Sequence, residues 1–543
     1  MRRKKPRVLL IALYTEGMRM TFEELGICSI ASYLRAHGYE VMVMGKTKEQ
    51  LDYAKIMDYL PDIVGFSLYS TSKHVVFSVC EELHRRIPQV YLCVGGTLAT
   101  HNHRGILQEA PYIDMVLRGE GEEVFLNLVR CVEEEGDFTS VNGLTYRKDA
   151  KIYVNKDQEL IKDLDSLPVP ARDILVENNL KIAQISTSRG CKARCTFCAS
   201  QLFWSCWRGR SVKGIIDEIE SIVNTHQIHA FYFIDGSFED PSNDYSRLIK
   251  IAKEIIRRNL KICYFANFRA EFCRKATPEL MELLVKSGLS AACIGIEAAN
   301  SFDLKLYGKR ATLEENIKII DLFNKYGVNI QPGFININPY STFENLRKNI
   351  DFLEKYKFLS IKAILFNRYN MLINTPLYEK IVRDNLLMKG VFNEDGYYFV
   401  DERIGVFINF IEKYISSIGH DSNKAIDRIS FFCNDFLSIF LYAKRHIQQD
   451  CKDKVRELLD VFEVKLDQLR IQANKLIAKW YKELLDLAEN QWHDQKAMEI
   501  SDKYLGSKDM IQIANHMDNI KNIMYIGLMR HNTSYSHYFI HLF

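Results

Sequence analysis

The sequence has no uncharged apolar run long enough to span a bilayer; the best stretch, SFFCNDFLSIFLYA (430–443), is interrupted by Asp435. It also lacks a dominant charge. Lysine plus arginine number 72 against 69 aspartate plus glutamate, a net charge of +3, so composition makes no case for a nucleic-acid or membrane partner. There is no internal repeat and no low-complexity segment. No disulfide framework is legible: the 13 cysteines are odd in number and, one trio aside, scattered, which points to a reducing, cytoplasmic setting. The opening MRRKKPRVLLIALY is superficially like a signal peptide. Its apolar run is short, however, Thr15 and Glu16 follow it, and no small-residue cleavage site appears. A first buried strand behind a basic tail is the better reading. With 47% hydrophobic and 26% charged residues over 543 positions, what remains is a multidomain globular chain.

Strand and helix signals alternate over residues 1–135. VLLIALY (8–14), EVMVMG, DIVGFSLYS, VYLCVGG and DMVL read as strands, with helical patterns such as LGICSIASYLRAHG between them. Near-continuous apolar strands separated by helices predict a doubly wound parallel sheet, which binds ligands beyond the carboxyl ends of its strands. Residues 136–180 read as a connection: a hairpin signal, GLTYRKDAKIYVN, then LDSLPVPARDIL, which Pro168 and Pro170 stiffen. The alternation restarts over 181–385. KIAQIST, AFYFIDG, KICYFANF, AACIGIE, VNIQPGFININ and SIKAILF are its strand candidates. Six βα units predict a partial or full barrel with its chemistry at the carboxyl ends of the strands. From 386 to 543 the pattern is mainly helical, as in VRELLDVFEVKLDQLRIQANKLIAKWYKELLDLAENQW.

The concentrated signal is STSRGCKARCTFCAS (186–200), which places Cys191, Cys195 and Cys198 on the loop after the first barrel strand. Thiolates are soft ligands for zinc or iron–sulfur clusters. A structural zinc site asks for four ligands, usually two C-x-x-C knuckles. Cys206 is in principle a fourth thiol, but no second knuckle follows. Three thiolates on a four-iron cluster leave one iron open to a substrate or cofactor.

C-x-x-x-C-x-x-C with Phe197 before the last cysteine resembles the radical S-adenosylmethionine (SAM) signature, and the resemblance extends over roughly 185–370. It implies a 4Fe–4S cluster on Cys191, Cys195 and Cys198 whose open iron chelates SAM. It further implies reductive cleavage of SAM to a 5′-deoxyadenosyl radical, with an external electron donor such as flavodoxin or ferredoxin. By the same resemblance Phe197, Asp235 (in FIDGSFED), Arg269 (in ANFRAEF) and Glu297 (in IGIEAAN) are cofactor-binding candidates, Arg269 for the SAM carboxylate and Glu297 for its ribose or amino group. WRGRS (207–211) is similar to the family's Arg-rich stretch, with Ser211 as a helix cap, and Gly333 falls in the segment that packs beside adenine.

The N-terminal region resembles a cobalamin-binding (B12) domain. Ser67 and Tyr69 follow one strand, Gly95, Gly96 and Thr97 the next, and Gly119 and Glu120 the last. Glycine backbone there would approach a large flat ligand. The D-x-H-x-x-G motif that supplies a lower axial histidine is absent, and His37, His74, His101 and His103 lack its context, so the resemblance implies cobalamin without histidine ligation. Together the resemblances imply a cobalamin-dependent radical SAM methyltransferase acting on an unactivated carbon of a small-molecule or natural-product substrate. One rival keeps the cofactors but performs ring contraction, cyclisation or oxidation. A rival of another class is a cobalamin- or metal-binding regulatory module without turnover. A tRNA methylthiotransferase would want another cysteine trio among Cys28, Cys80 and Cys93, which are dispersed, and a terminal β-barrel where this chain is helical; no basic, aromatic-rich patch supports RNA binding.

Overall fold

The computed structural model describes residues 5–14, 22–239, 244–388, 396–417, 425–433 and 453–530. Most of the run 430–443, together with Thr15 and Glu16, lies outside them.

The first sheet contains β1 (Arg7–Tyr14), β2 (Glu40–Thr47), β3 (Ile63–Ser67), β4 (Tyr91–Gly95), β5 (Met115–Leu117), β6 (Leu144–Lys148) and β7 (Lys151–Val154). Their order is β2-β1-β3-β4-β5-β6-β7, parallel through β5 and antiparallel from there on. The hairpin read as part of the connection thus extends this sheet. Alternate residues of β1 feed two cores. Leu9, Ile11 and Leu13 pack with Val76, Val79 and Leu83 of the helix Lys73–Arg86. Val8, Leu10 and Ala12 pack with Leu34 of the helix Leu25–Ala36 and Val124 of the helix Gly121–Glu133. Burial on both faces is why β1 reads as an unbroken apolar run.

The second sheet holds β8 (Ile182–Ile185), β11 (Ala230–Phe233), β12 (Cys263–Arg269), β13 (Leu289–Glu297) and β14 (Asn329–Phe334), all parallel and adjacent in chain order. Between β8 and β11 a two-strand pair, β9 (Ser188–Arg189) and β10 (Arg208–Gly209), brackets the cysteine loop. Five of the six expected barrel strands form. The sixth does not: within SIKAILF, Lys362–Leu365 is one helical turn, and an isolated parallel bridge from Ile337 to Arg368 takes the strand's place. Ser360 is fully buried and Leu359 N–H donates to Asn474 Oδ1 at 2.7 Å, so the segment is held by the C-terminal helices instead of a ladder. The barrel is therefore partial and open on that side. The described C-terminal residues are mainly helical, led by Asp453–Asn490, whose Trp480 and Tyr481 are fully buried.

Candidate functional site

Gly190 sets the path into the cysteine loop. Its φ is +89°, and a Cβ there would collide with the Cys206 carbonyl, so only glycine lets the two arms of the loop cross this closely. At the far end Thr196 N–H donates to Tyr307 O (3.0 Å), Thr196 Oγ1–H to Leu306 O (2.6 Å), and Phe197 packs edge-on against the buried Tyr307. The three thiols are half-buried and free of disulfides, while Cys206 is exposed. Ala193 N–H points at Cys191 Sγ (3.4 Å) and Ser200 N–H at Cys198 Sγ (3.5 Å). Such donors suit anionic sulfur. Burial raises the Cys191 thiol above its ordinary pKa and pushes Cys195 up to about 11, so binding iron would have to displace protons. Among the described residues no three His, Cys, Asp or Glu side chains gather tightly enough for a single metal ion. A four-iron cluster takes one thiolate per iron and asks for no such convergence.

Two candidate residues face this loop. Arg269, at the end of β12, lies near enough to Cys191 to favour its thiolate, and its Nε donates to Glu239 Oε1 at 2.8 Å. Glu297 closes β13 in the left-handed region, at φ +64°, where the β13–β14 register slips between Gly295 and Glu297. A bulge of this kind re-aims a side chain. Here it brings the carboxylate 3.5 Å from Lys309 Nζ, and the bare Gly295 and Gly333 keep the space beside it open. Burial raises the Glu297 pKa and Lys309 opposes the rise.

Two other candidates are spent elsewhere. Asp235 is buried, its Oδ1 accepting from Thr187 Oγ1 (2.9 Å) and Ser188 Oγ (2.5 Å) and its Oδ2 from Thr187 N–H (3.4 Å); it ties the end of β11 to the root of the cysteine loop. Glu120 follows β5 and is buried. Its oxygens accept from Arg189 Nη1 (3.0 Å), Arg208 Nη1 (2.9 Å) and Nη2 (3.0 Å), Trp204 Nε1 (3.2 Å) and Ile161 N–H (2.8 Å), while Glu122 takes the other arm of Arg189 at 2.5 Å. Glu120 is thus a joint between the two sheets, and those arginines hold its carboxyl below the usual range despite its burial. A second joint runs from Glu23 through Arg172 to Glu218 and Arg210. The Arg-rich motif signalled Arg208 and Arg210; no local pattern marked Glu23, Arg172, Glu218 or Lys309.

On the first sheet, Ser67, Gly95–Thr97 and Gly119 do line up at the carboxyl ends of β3, β4 and β5. Gly96 has φ +101° with Leu68 O 3.3 Å from where a Cβ would sit; Gly119, at φ +76°, faces open space and donates its N–H to Thr100 Oγ1 at 3.0 Å. This is a shallow cradle of bare backbone, fit for a flat ligand. The Tyr69 hydroxyl donates to Glu24 Oε2 (2.8 Å), and the residue is 43% exposed. His101 and His103 are half-buried: His103 Nδ1 lies 3.0 Å from Thr145 Oγ1, and His101 Nε2 is buried without a partner. The helix Thr97–His101 packs on the helix Ser200–Phe203, so the cradle and the cysteine loop meet at one interface.

Known proteins match this arrangement. The B12 binding domain model matches residues 5–129 and the radical SAM superfamily model residues 185–353. An uncharacterised methyltransferase of Pyrococcus horikoshii is 28% identical over 71% of this chain and 85% of its own length. The anaerobic magnesium-protoporphyrin IX monomethyl ester cyclase of Rubrivivax gelatinosus is 30% identical over 57% of this chain, which spans only 58% of that enzyme. The solved structure of the cobalamin-dependent SAM radical enzyme OxsB, with aqua-cobalamin and SAM bound, superposes with a TM-score of 0.68 over 97% of this chain and 80% of that one, at 23% identity. The chain belongs to the cobalamin-dependent radical SAM enzymes, and its two matched domains imply cobalamin, SAM and a 4Fe–4S cluster.

Proposed function

We propose that this enzyme transfers a methyl group to an unactivated carbon of a small molecule. The observation that carries the reading is the meeting of the glycine cradle and the cysteine loop at one interface, over a barrel whose inner face is half-open. The similarity to an uncharacterised methyltransferase over 71% of this chain and 85% of that one supports the label. Residues 1–135 and the 144–154 hairpin would form the cobalamin unit, 181–385 the radical SAM unit, and the remaining helices a cover.

Within this reading Cys191, Cys195 and Cys198 would hold the cluster. The forked guanidinium of Arg269 suits the SAM carboxylate, and Glu297 suits its ribose or amino group. Ser67, Gly95, Gly96, Thr97 and Gly119 would cradle cobalamin. The cofactors supply the radical and the methyl group; the chain orients them and excludes water. Phe197, Asp235 and Glu120 would act through packing and ionic ties.

Anaerobic reconstitution tests the reading. Turnover should yield 5′-deoxyadenosine and S-adenosylhomocysteine in about equal amounts, since one SAM would feed the radical and another the methyl carrier. Deoxyadenosine with a product that changes mass without gaining a methyl would replace methylation by rearrangement, cyclisation or oxidation and leave the cofactor assignments in place.

A further inference from the structure

We propose that a basic groove on the outer side of the cysteine loop docks a small acidic electron-carrier protein. The inference rests on the radical SAM reading, because only a reductively driven cluster needs such a partner. The groove encloses about 720 Å³ and is bounded by the start of the helix Ser301–Leu306, the turn at Gly308 and the start of the helix Leu313–Lys325. Lys305, Lys309, Arg310 and Lys348 line it, against one carboxylate, Glu314.

Lys309 is committed to Glu297, and Lys348 pairs with Glu344 at 2.6 Å. Lys305 and Arg310 are exposed and make no ion pair among the described residues; Arg194, on the cysteine loop itself, is the same. The exposed Phe302, at 51%, adds an apolar contact beside them.

Position distinguishes this patch from an ordinary solvated surface. A Cβ on Gly308 would lie 3.1 Å from Arg194 O and 3.1 Å from Thr196 Cγ2, so the groove wall rests directly on the chain on either side of the second cysteine, Cys195. The hydrogen bond from Thr196 N–H to Tyr307 O (3.0 Å) links Cys195's neighbour to that wall. Electron tunnelling weakens steeply with distance, and redox encounters use small, charge-steered interfaces. A groove with excess positive charge at this point fits a carrier whose cofactor is rimmed by carboxylates. The carrier loses one electron; that electron ends in the S–C5′ bond of SAM, which breaks to methionine and a 5′-deoxyadenosyl radical, so no proton or further reductant enters the step.

The test is the double variant K305E/R310E of the reconstituted full-length enzyme, which leaves the cysteine loop untouched. SAM cleavage is driven either by an acidic flavodoxin reduced to its hydroquinone or by dithionite. The flavodoxin-driven rate should fall about tenfold or more, and in the wild type it should fall with added salt. The dithionite-driven rate should not change. An unchanged flavodoxin-driven rate overturns the groove. Equal loss with both reductants also overturns it, because the charges would then be serving the cysteine loop's own structure. A wild type that cleaves no SAM with dithionite removes the radical reading on which the proposal stands.

Discussion

The two sheets are built from the same parallel βα units yet bury their strands differently. In the first, β1 is covered on both sides, with Val8 through Leu13 all buried. In the second, β12 alternates from end to end: Tyr264, Ala266 and Phe268 are buried while Cys263, Phe265, Asn267 and Arg269 stay partly open. Tyr232, Cys293 and Gln331 continue that open row on the neighbouring strands. A sheet filled on both faces can bind a ligand only at its edge, beyond the strand ends. A sheet with one polar, half-open face can take a ligand into its interior. The difference teaches that the first sheet is a platform and the second a container.

The sharpest way to separate the two is to empty one site and watch the other. Replacing Cys191, Cys195 and Cys198 together with alanine should abolish the brown absorption and SAM cleavage completely, while the first sheet still retains cobalamin; iron analysis and the cobalamin spectrum check both. Cys206→Ala should keep its iron, being exposed and outside the trio.

The reverse experiment is Gly96→Val. A β-branched side chain at φ +101° is strained, and it faces Leu68 O. Cobalamin retention should drop by about tenfold or more, as one blocked contact and a distorted loop would require, and iron content should be unchanged. Loss of both cofactors would mean that the sheets do not act as separate units.

Stability should report the burial difference directly. Leu10→Ala, in a strand packed on both faces, should cost about 2–5 kcal/mol in denaturant unfolding. Cys293→Ala, on the half-open face, should cost about 1 kcal/mol or less, because less packing is lost there. Similar costs would contradict the idea of a container.

Glu120→Gln tests what joins the two. It leaves Arg208 with only a neutral partner in a buried site, while Arg189 keeps Glu122, at a cost of about 3 kcal/mol. Beyond stability, the ratio of 5′-deoxyadenosine to methylated product should rise, since radical generation and methyl delivery would no longer be held in register. Arg208→Lys keeps the charge but loses the fork and should raise the same ratio less. A ratio unchanged in both variants would reduce Glu120 to a structural tie.

The smallest effect concerns acid. Burial first, then Arg118 and Arg104, lower the His103 pKa from an ordinary 6.5 to about 4. The fold therefore favours the neutral ring, and the stability tied to it is complete above pH 6.5 and lost as pH falls through about 4. His103→Gln should weaken the acid sensitivity of the first sheet across that window, read by near-ultraviolet circular dichroism against pH.

Local chemistry made much of this protein legible from its residues alone. The thiol spacing of Cys191, Cys195 and Cys198 is a property of a few consecutive positions, and it identifies soft-ligand chemistry wherever the chain goes. Glycine at 96 and 119, where φ is positive, likewise announces itself. Apolar runs specified the strands of the first sheet because burial on both faces leaves a one-dimensional trace. SIKAILF carried the same trace and became a helical turn, because its apolar residues are buried by helices distant in sequence, which periodicity does not register.

The fate of the charged candidates was decided only in three dimensions. Asp235, Glu120, Arg269 and Glu297 all end or follow strands, so position along the chain treats them alike. Two are consumed by hydrogen bonds from residues far away, and two remain beside the cysteine loop. A carboxylate's role depends on which donors saturate it, and donors such as Arg189 and Arg208 are brought to Glu120 by the packing of one sheet on the other. Sequence determined which chemistry the chain can hold; tertiary structure decided which side chains are left free to serve it.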